Sequence, residues 1–230
     1  MVSYTRREMS KRYDQYCPVC HALGLVGERW ALLIVRELLR GPKRYTDLVE
    51  GMPGIGTNIL AARLKELERG GILRKRKLPP PAASTVYELT EYGAELEEAL
   101  YALARWGARS LPPPGPKDEF YPEWGLNAFA ALLDEEAARG LTESYVLRVD
   151  DDAYTVRLVE GRLEIEPGAS EAVDLDAAMD QKTFFGLASR DLLPSDALAA
   201  GTVKLEAGDP EILERFFRVF NFASRVPTAA

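Results

Sequence analysis

The spacing of apolar positions changes character halfway along the chain. From His21 to Arg40, Leu23, Val26, Trp30, Leu33, Ile34 and Leu38 recur every three or four residues, which predicts one long helix hinged at Gly24 and Gly27. Gly41-Pro42 stops it. A short helix is expected over Arg44–Glu50, broken by Gly51-Met-Pro-Gly54. A second is expected over Ile55–Glu68, with Ile55, Leu60, Leu64 and Leu67 as its buried stripe and Gly70-Gly71 as its stop. Two strands follow, Ile72–Leu78 and Thr85–Thr90, joined by the tip Pro79-Pro-Pro81. The helical period returns from Thr90, a good N-cap, to Trp106, with Leu96, Leu100, Leu103 and Trp106 on one face.

After Leu111-Pro-Pro-Pro-Gly-Pro116, which no helix or strand crosses, a helix within Asp118–Gly140 carries Trp124, Leu126, Phe129, Leu132 and Leu133. The period then falls to two. Ser144–Val149, Tyr154–Val159 and Arg162–Glu166 alternate, with Asp150-Asp-Asp152 and Glu160-Gly161 as hairpin turns. Ala172–Asp176 and Thr202–Glu206 are further strands. Lys182–Ala188 and Asp196–Ala200 are short helices. Pro210–Ala223 closes the chain with Leu213, Phe216, Phe217, Phe220 and Phe222.

The fold class expected is α+β, in two domains. Residues 1–110 form a winged helix-turn-helix, 111–118 a proline-rich linker, and 119–230 an α+β domain with an antiparallel sheet. Helix, tight turn, helix and basic hairpin is the geometry that sets one helix in a DNA major groove and a wing on the backbone.

Charge is divided unevenly along the chain. A net charge of -7 argues against nucleic acid, but residues 1–116 carry +5 and residues 117–230 carry -12. The basic half is the half with the helix-turn-helix. No apolar run approaches the roughly 20 residues that span a bilayer, and Met1–Arg7 lacks a signal-peptide core. A cytoplasmic chain with no membrane partner is expected.

Candidate chemistry follows from these placements. Thr57 and Asn58 begin the second helix of the motif, where side chains reach base edges; Asn bonds adenine in two places and the Thr methyl touches thymine. An N-cap role for either residue is the alternative. Ala61 and Ala62 permit close approach. Arg44, Arg63 and Lys65 suit phosphate. In the run Arg74-Lys-Arg-Lys77 side chains alternate across a strand, so at most two of them, Arg74 and Arg76, face DNA. Trp30 reads as a core anchor or a ligand contact. Cys17-Pro-Val-Cys20 has one neighbouring His21 and no further soft ligands, too few for a zinc site. The two cysteines are read either as thiol sensors, since an exposed cysteine at a helix start is reactive, or as small buried side chains. Asp150–Asp152 lacks the glycine and terminal glutamate of a calcium loop and reads as a solvated turn. No metal, cofactor or catalytic set is expected, and the chain reads as a non-enzyme. Phe184, Phe185, Leu187, Phe216, Phe217 and Phe220 either fill a core or line an apolar pocket.

Cys17-Pro, Ala22-Leu, Gly27-Glu-Arg-Trp30, Leu32–Leu38, Gly41-Pro-Lys-Arg-Tyr45, Pro53–Leu60, Arg63–Glu68, Gly71-Ile72, Tyr87-Glu-Leu-Thr90 and Gly93 together resemble the HxlR-type family of bacterial winged-helix regulators. The resemblance spans about residues 13 to 110. It implies a homodimeric transcription regulator on a palindromic operator in double-stranded DNA, as a dimer or higher even oligomer. It also implies that Cys17 matches a cysteine that senses oxidants or electrophiles in several members, whereas Cys20 is a departure. Tyr154-Thr-Val, Gly161-Arg-Leu, Ala172-Val-Asp, Phe184-Phe-Gly-Leu-Ala, Leu198–Glu206 and Gly208–Phe217 resemble, more loosely, the sterol-carrier-like lipid-binding fold. That resemblance implies a fatty-acyl or other apolar ligand, with a packed oligomerisation domain as the alternative. A lipid carrier that uses its winged helix for protein contacts is the competing reading for the whole chain.

Overall fold

The computed structural model describes residues 13–80, 83–111, 124 and 129–220. The wing tip at Pro81, the linker from Pro112, Leu126 and Phe222 lie outside the described residues. The chain divides into two compact units, Met1–Leu100 and Tyr101–Ala230.

The first unit begins with α1 (Pro18–Val26) and α2 (Ala31–Leu38). These correct the single hinged helix expected over His21–Arg40, because the two axes bend by 77°. Gly27 ends α1, and Trp30 takes a left-handed φ of 79° at the N-cap of α2. The break preserves the apolar spacing, so periodicity counted straight through it. Its consequence is in the packing: Ala31, Ile34, Val35 and Leu38 are buried, while Leu23 and Leu33 are exposed. Trp30 is half-buried rather than a core anchor. Glu37 is 2% exposed and is neutralised by Arg36 at 2.7 Å and Lys43 at 3.0 Å, as a buried carboxylate requires.

Next come β1 (Lys43–Arg44), α3 (Tyr45–Glu50), α4 (Thr57–Arg69), β2 (Leu73–Lys77) and β3 (Thr85–Leu89). The two-residue β1 has no periodicity to betray it. It completes an antiparallel sheet in the order β1-β3-β2. The helix expected from Thr90 is divided into α5 (Glu91–Ala94) and α6 (Leu96–Ala108), and the Thr90 hydroxyl caps α5 by accepting from the Gly93 amide. Gly93 lies so close to β2 that a Cβ there would stand 1.9 Å from the Ile72 carbonyl oxygen. Alanine favours a helix over glycine by about 1 kcal/mol, but overpacking costs about 1–3 kcal/mol and reaches or passes the top of that range where rigid backbone is the neighbour. Gly93→Ala is therefore expected to lower stability by about 2 kcal/mol or more, read from the denaturant midpoint of the N-terminal transition.

The second unit holds α7 (Glu135–Ala138), β4 (Glu143–Val149), β5 (Asp152–Val159), β6 (Arg162–Pro167), β7 (Leu175–Met179), α8 (Gln181–Ala188), α9 (Pro194–Ala199), β8 (Val203–Ala207) and α10 (Pro210–Val219). The sheet runs β6-β5-β4-β7-β8. Three of its pairings are antiparallel, and β4 with β7 is parallel. β7 starts three residues later than the strand expected over Ala172–Asp176. Ala172 has a positive φ of 54°, and the Asp174 carboxylate accepts from the Ser144 amide at 2.7 Å, so these residues form the entry rather than the strand. Gly208 has φ 86° and a backbone approach that would put a Cβ 2.4 Å from the Asp174 carbonyl oxygen; Asp209 beside it caps α10.

Tyr145, Leu147, Val156, Leu158, Leu175, Ala177 and Val203 form the inner face of the sheet, against which Phe184, Leu187, Leu213, Phe216, Phe217 and Phe220 pack. Glu143 on β4 accepts from the Tyr145 hydroxyl at 2.5 Å and from Arg215 Nε at 2.7 Å, tying α10 to the sheet. Burial and the Glu143 carboxylate push the Tyr145 phenol far above its ordinary range.

Candidate nucleic-acid interface

The helix-turn-helix is α3, a turn with Gly54 at φ 82°, and α4. Leu48 on α3, Met52 in the turn, and Ile55, Leu60, Leu64 and Leu67 are buried, which fixes one face of α4 inward. A contact that periodicity does not reveal sets the junction: the Tyr45 hydroxyl donates to the Thr57 carbonyl at 2.7 Å. Trp30 serves the same region, since its indole lies about a van der Waals contact from the Cβ position of Gly54.

Gly56 holds the N-cap of α4, and its carbonyl accepts from the Ile59 and Leu60 amides. Thr57 and Asn58 are thus the first two helical residues. They do not cap the helix, and both are exposed. Ala61, Ala62 and Lys65 are exposed on the same helix, and so is Ile59, an apolar side chain that the sequence assigned no role. Arg63 requires a correction. Its side chain is 17% exposed and pairs with Glu28 at 3.0 Å and with Glu66. It joins α4 to the turn between α1 and α2, so its guanidinium is committed to the fold rather than to phosphate. Arg44 is exposed at the start of α3, where its amide donates to the Asp47 carboxylate at 2.8 Å.

In the hairpin, Arg74 stands opposite Glu88 and Lys75 opposite Tyr87. Strand alternation puts Arg74 and Arg76 on one face and Lys75 and Lys77 on the other. Arg74 Nε at 2.8 Å and Arg76 Nε at 2.6 Å both donate to the Glu88 carboxylate. The two arginines hold Glu88 below the usual carboxylate range. One carboxylate between two guanidiniums leaves a net positive pair with restricted rotamers. Lys75 lies 3.4 Å from Glu68 and 5.6 Å over the Tyr87 ring.

Cys17 is the extended N-cap of α1, and Cys20 lies in its first turn. Both are half-buried free thiols. The backbone amides of Cys20 and Val19 draw the Cys17 thiol below its ordinary pKa; burial, then the Cys17 thiol, pushes Cys20 up. The two border a cavity of 330 Å³ with Tyr13, Gln15, Tyr16, Pro18, His21 and Gly24.

The six apolar residues singled out in the second unit do not share one situation. Phe184, Leu187, Phe216, Phe217 and Phe220 are at most 6% exposed, and Phe185 is half-buried. Phe129, whose neighbours 130–132 are helical, stacks edge-on with Phe184, Phe216 and Phe220 at 5.3–5.8 Å, and Phe216 meets Tyr145 at 4.9 Å. These rings fill the core with one another.

The HxlR-like helix-turn-helix family matches residues 25–114, and the alkyl sulfatase C-terminal family matches residues 118–225. Over 98 residues the chain is 37% identical to the HTH-type transcriptional regulator YodB of Bacillus subtilis, a match covering 42% of this chain and 88% of that one. Over 110 residues it is 39% identical to the HTH-type transcriptional regulator Mb3122 of Mycobacterium bovis, covering 47% and 68%. Among solved structures, the reduced form of YodB from B. subtilis is 35% identical, covers 44% of this chain and 100% of that one, and superposes with a TM-score of 0.38. The redox regulator HypR in its oxidized form is 28% identical, covers 42% and 99%, and gives 0.39. With most of YodB's length matched at this identity, the chain belongs to the HxlR-like helix-turn-helix family.

Proposed function

We propose that the chain is a dimeric transcription regulator that reads a two-fold symmetric operator in double-stranded DNA with α4 and the β2–β3 hairpin. The observation that carries this is the first turn of α4: Gly56 takes the cap, which leaves Thr57 and Asn58 exposed beside a basic hairpin. In this reading Thr57 and Asn58 meet base edges, and Arg44, Lys65, Arg74 and Arg76 meet phosphates. The dimer contact is assigned to α6, whose Leu103 and Trp106 are 51% and 70% exposed. A dimer spaces two recognition helices by one turn of DNA.

Control is assigned to the Cys17 thiol, in keeping with the redox regulator named among its relatives. The second unit acts as a non-catalytic effector or oligomerisation domain. An apolar ligand there would have to displace the rings around Phe216, so the ring contacts favour oligomerisation. Among the described residues no single helix is long and apolar enough to cross a membrane, though α1 and α2 pass that test as a bent pair; their stripe at Ala31, Ile34 and Val35 is turned into the protein core.

The test is selection of the full chain on a random duplex pool, followed by titration at several salt concentrations. The proposal expects a palindromic site and a linear fall of log affinity with log salt, of slope about -0.9 per neutralised phosphate. Absence of any salt-sensitive duplex binding would overturn it.

A further inference from the structure

We propose that Cys17 and Cys20 form an intrachain dithiol–disulfide switch driven by a small hydroperoxide, with Cys17 as nucleophile and Cys20 as resolving thiol. The proposal deepens the assignment of control to Cys17 and rests on it. The chain has two cysteines in all, so a disulfide inside one chain has only this pairing. Three features favour it.

The first is backbone geometry. Side chains three apart on a helix have Cβ atoms about 5–6 Å apart, longer than the 3.5–4.5 Å a disulfide needs. Cys17 lies outside the helix at φ -141° and ψ 129°, so its Cβ is not bound to that spacing. Pro18 at the first helical position stiffens the turn.

The second is a division of labour. The Val19 and Cys20 amides at the start of α1 favour the Cys17 thiolate. The Cys20 S–H donates to Gln15 Oε1 at 3.2 Å, and burial favours its protonated form. The more anionic sulfur attacks, and the protonated one waits.

The third is the cavity of 330 Å³ bordered by both cysteines and by Tyr13, Tyr16 and Pro18. It leaves open space beside both cysteines, enough for a small hydroperoxide.

The Cys17 thiolate attacks the terminal oxygen of ROOH and breaks the O–O bond; the departing alkoxide takes a proton and leaves as ROH. Cys17 is now a sulfenic acid. The Cys20 sulfur attacks Sγ of Cys17 and displaces hydroxide, which takes the Cys20 proton and leaves as water. Two thiols are oxidised to one disulfide, and one hydroperoxide is reduced to an alcohol and water.

The experiment treats the reduced full-length protein with one equivalent of cumene hydroperoxide or hydrogen peroxide. Intact mass, peptide mapping and a non-reducing gel are then read. The expected result is the loss of two hydrogens, located to a Cys17–Cys20 peptide, with the protein running as a monomer on the gel. In Cys20→Ser the same treatment gives a Cys17 sulfenic acid that dimedone traps. A chain-to-chain disulfide through Cys17 in the parent protein would overturn the proposal, as would a Cys17 sulfinic acid beside a free Cys20. DNA release, measured on the same oxidised sample, tests control by Cys17 separately, so the two readings fail independently.

Discussion

Phe216→Ala is expected to destabilise the second unit by about 3–5 kcal/mol. The ring is fully buried and touches Phe129, Tyr145, Phe217 and Phe220 at centroid distances of 4.7–5.8 Å. Its removal forfeits apolar burial and leaves a void that neighbouring rings, already in contact with one another, close only in part. Domains are stable by about 5–15 kcal/mol, so this is a large share of the total, read as a lower denaturant midpoint for the C-terminal transition. Phe185→Ala is the control. That residue is half-buried and should cost markedly less. Equal losses at the two positions would mean that the ring cluster is not what holds α10 to the sheet. The void also separates the two accounts of this unit. If the domain is packed, a small apolar molecule should raise the melting temperature of Phe216→Ala and leave the parent unchanged. Stabilisation of the parent would revive the apolar-ligand account.

Asn58→Ala is expected to weaken operator binding about 5- to 150-fold, about 1–3 kcal/mol for one base contact, with little change in the salt slope. Arg74→Ala or Arg76→Ala should do the opposite: binding to all duplexes weakens together, and the slope falls by about 1 for each phosphate no longer neutralised. Glu88 makes the comparison sharper. It holds both arginines, so Glu88→Gln removes the carboxylate charge between them and should raise affinity for the selected and the scrambled duplex together. Binding isotherms on the selected site and on a scrambled duplex, each at several salt concentrations, give all three answers. A salt slope that changes in Asn58→Ala but not in the arginine variants would reverse the roles assigned to helix and hairpin. Arg63→Ala should instead act as a stability variant, because its partners are Glu28 and Glu66.

Much of this architecture was written into the order of residues. The stripe Ile55, Leu60, Leu64 and Leu67, the glycine stops around it and the alternating basic run that follows predict helix, turn, helix and hairpin. The change to period two after Ser144 predicts the strands of the second unit to within a few residues. These features are legible because burial on one face imposes a period, and a period survives in the sequence. The division of charge between the halves, and the motifs shared with HxlR-type regulators, carried the functional class.

What the sequence left undecided turned on contacts between residues far apart or on backbone angles. Periodicity runs unbroken through His21–Arg40, yet a left-handed Trp30 divides the segment, because side-chain spacing does not record φ. Arg63 and Lys65 differ by two positions and carry the same charge. Only the placement of Glu28 beside one of them decides that Arg63 belongs to the fold and that Lys65 is left on the surface. Thr57 and Asn58 were each suited to cap the helix, and only the backbone shows that Gly56 holds the N-cap and leaves both side chains exposed. The parallel pairing of β4 with β7 was likewise invisible, since alternation reports a strand and never its neighbour. Residue order settles which side chains are apolar, basic or nucleophilic and in what rhythm they recur. Which of them share a surface was decided by the tertiary structure, because proximity in the folded chain comes from packing and not from spacing.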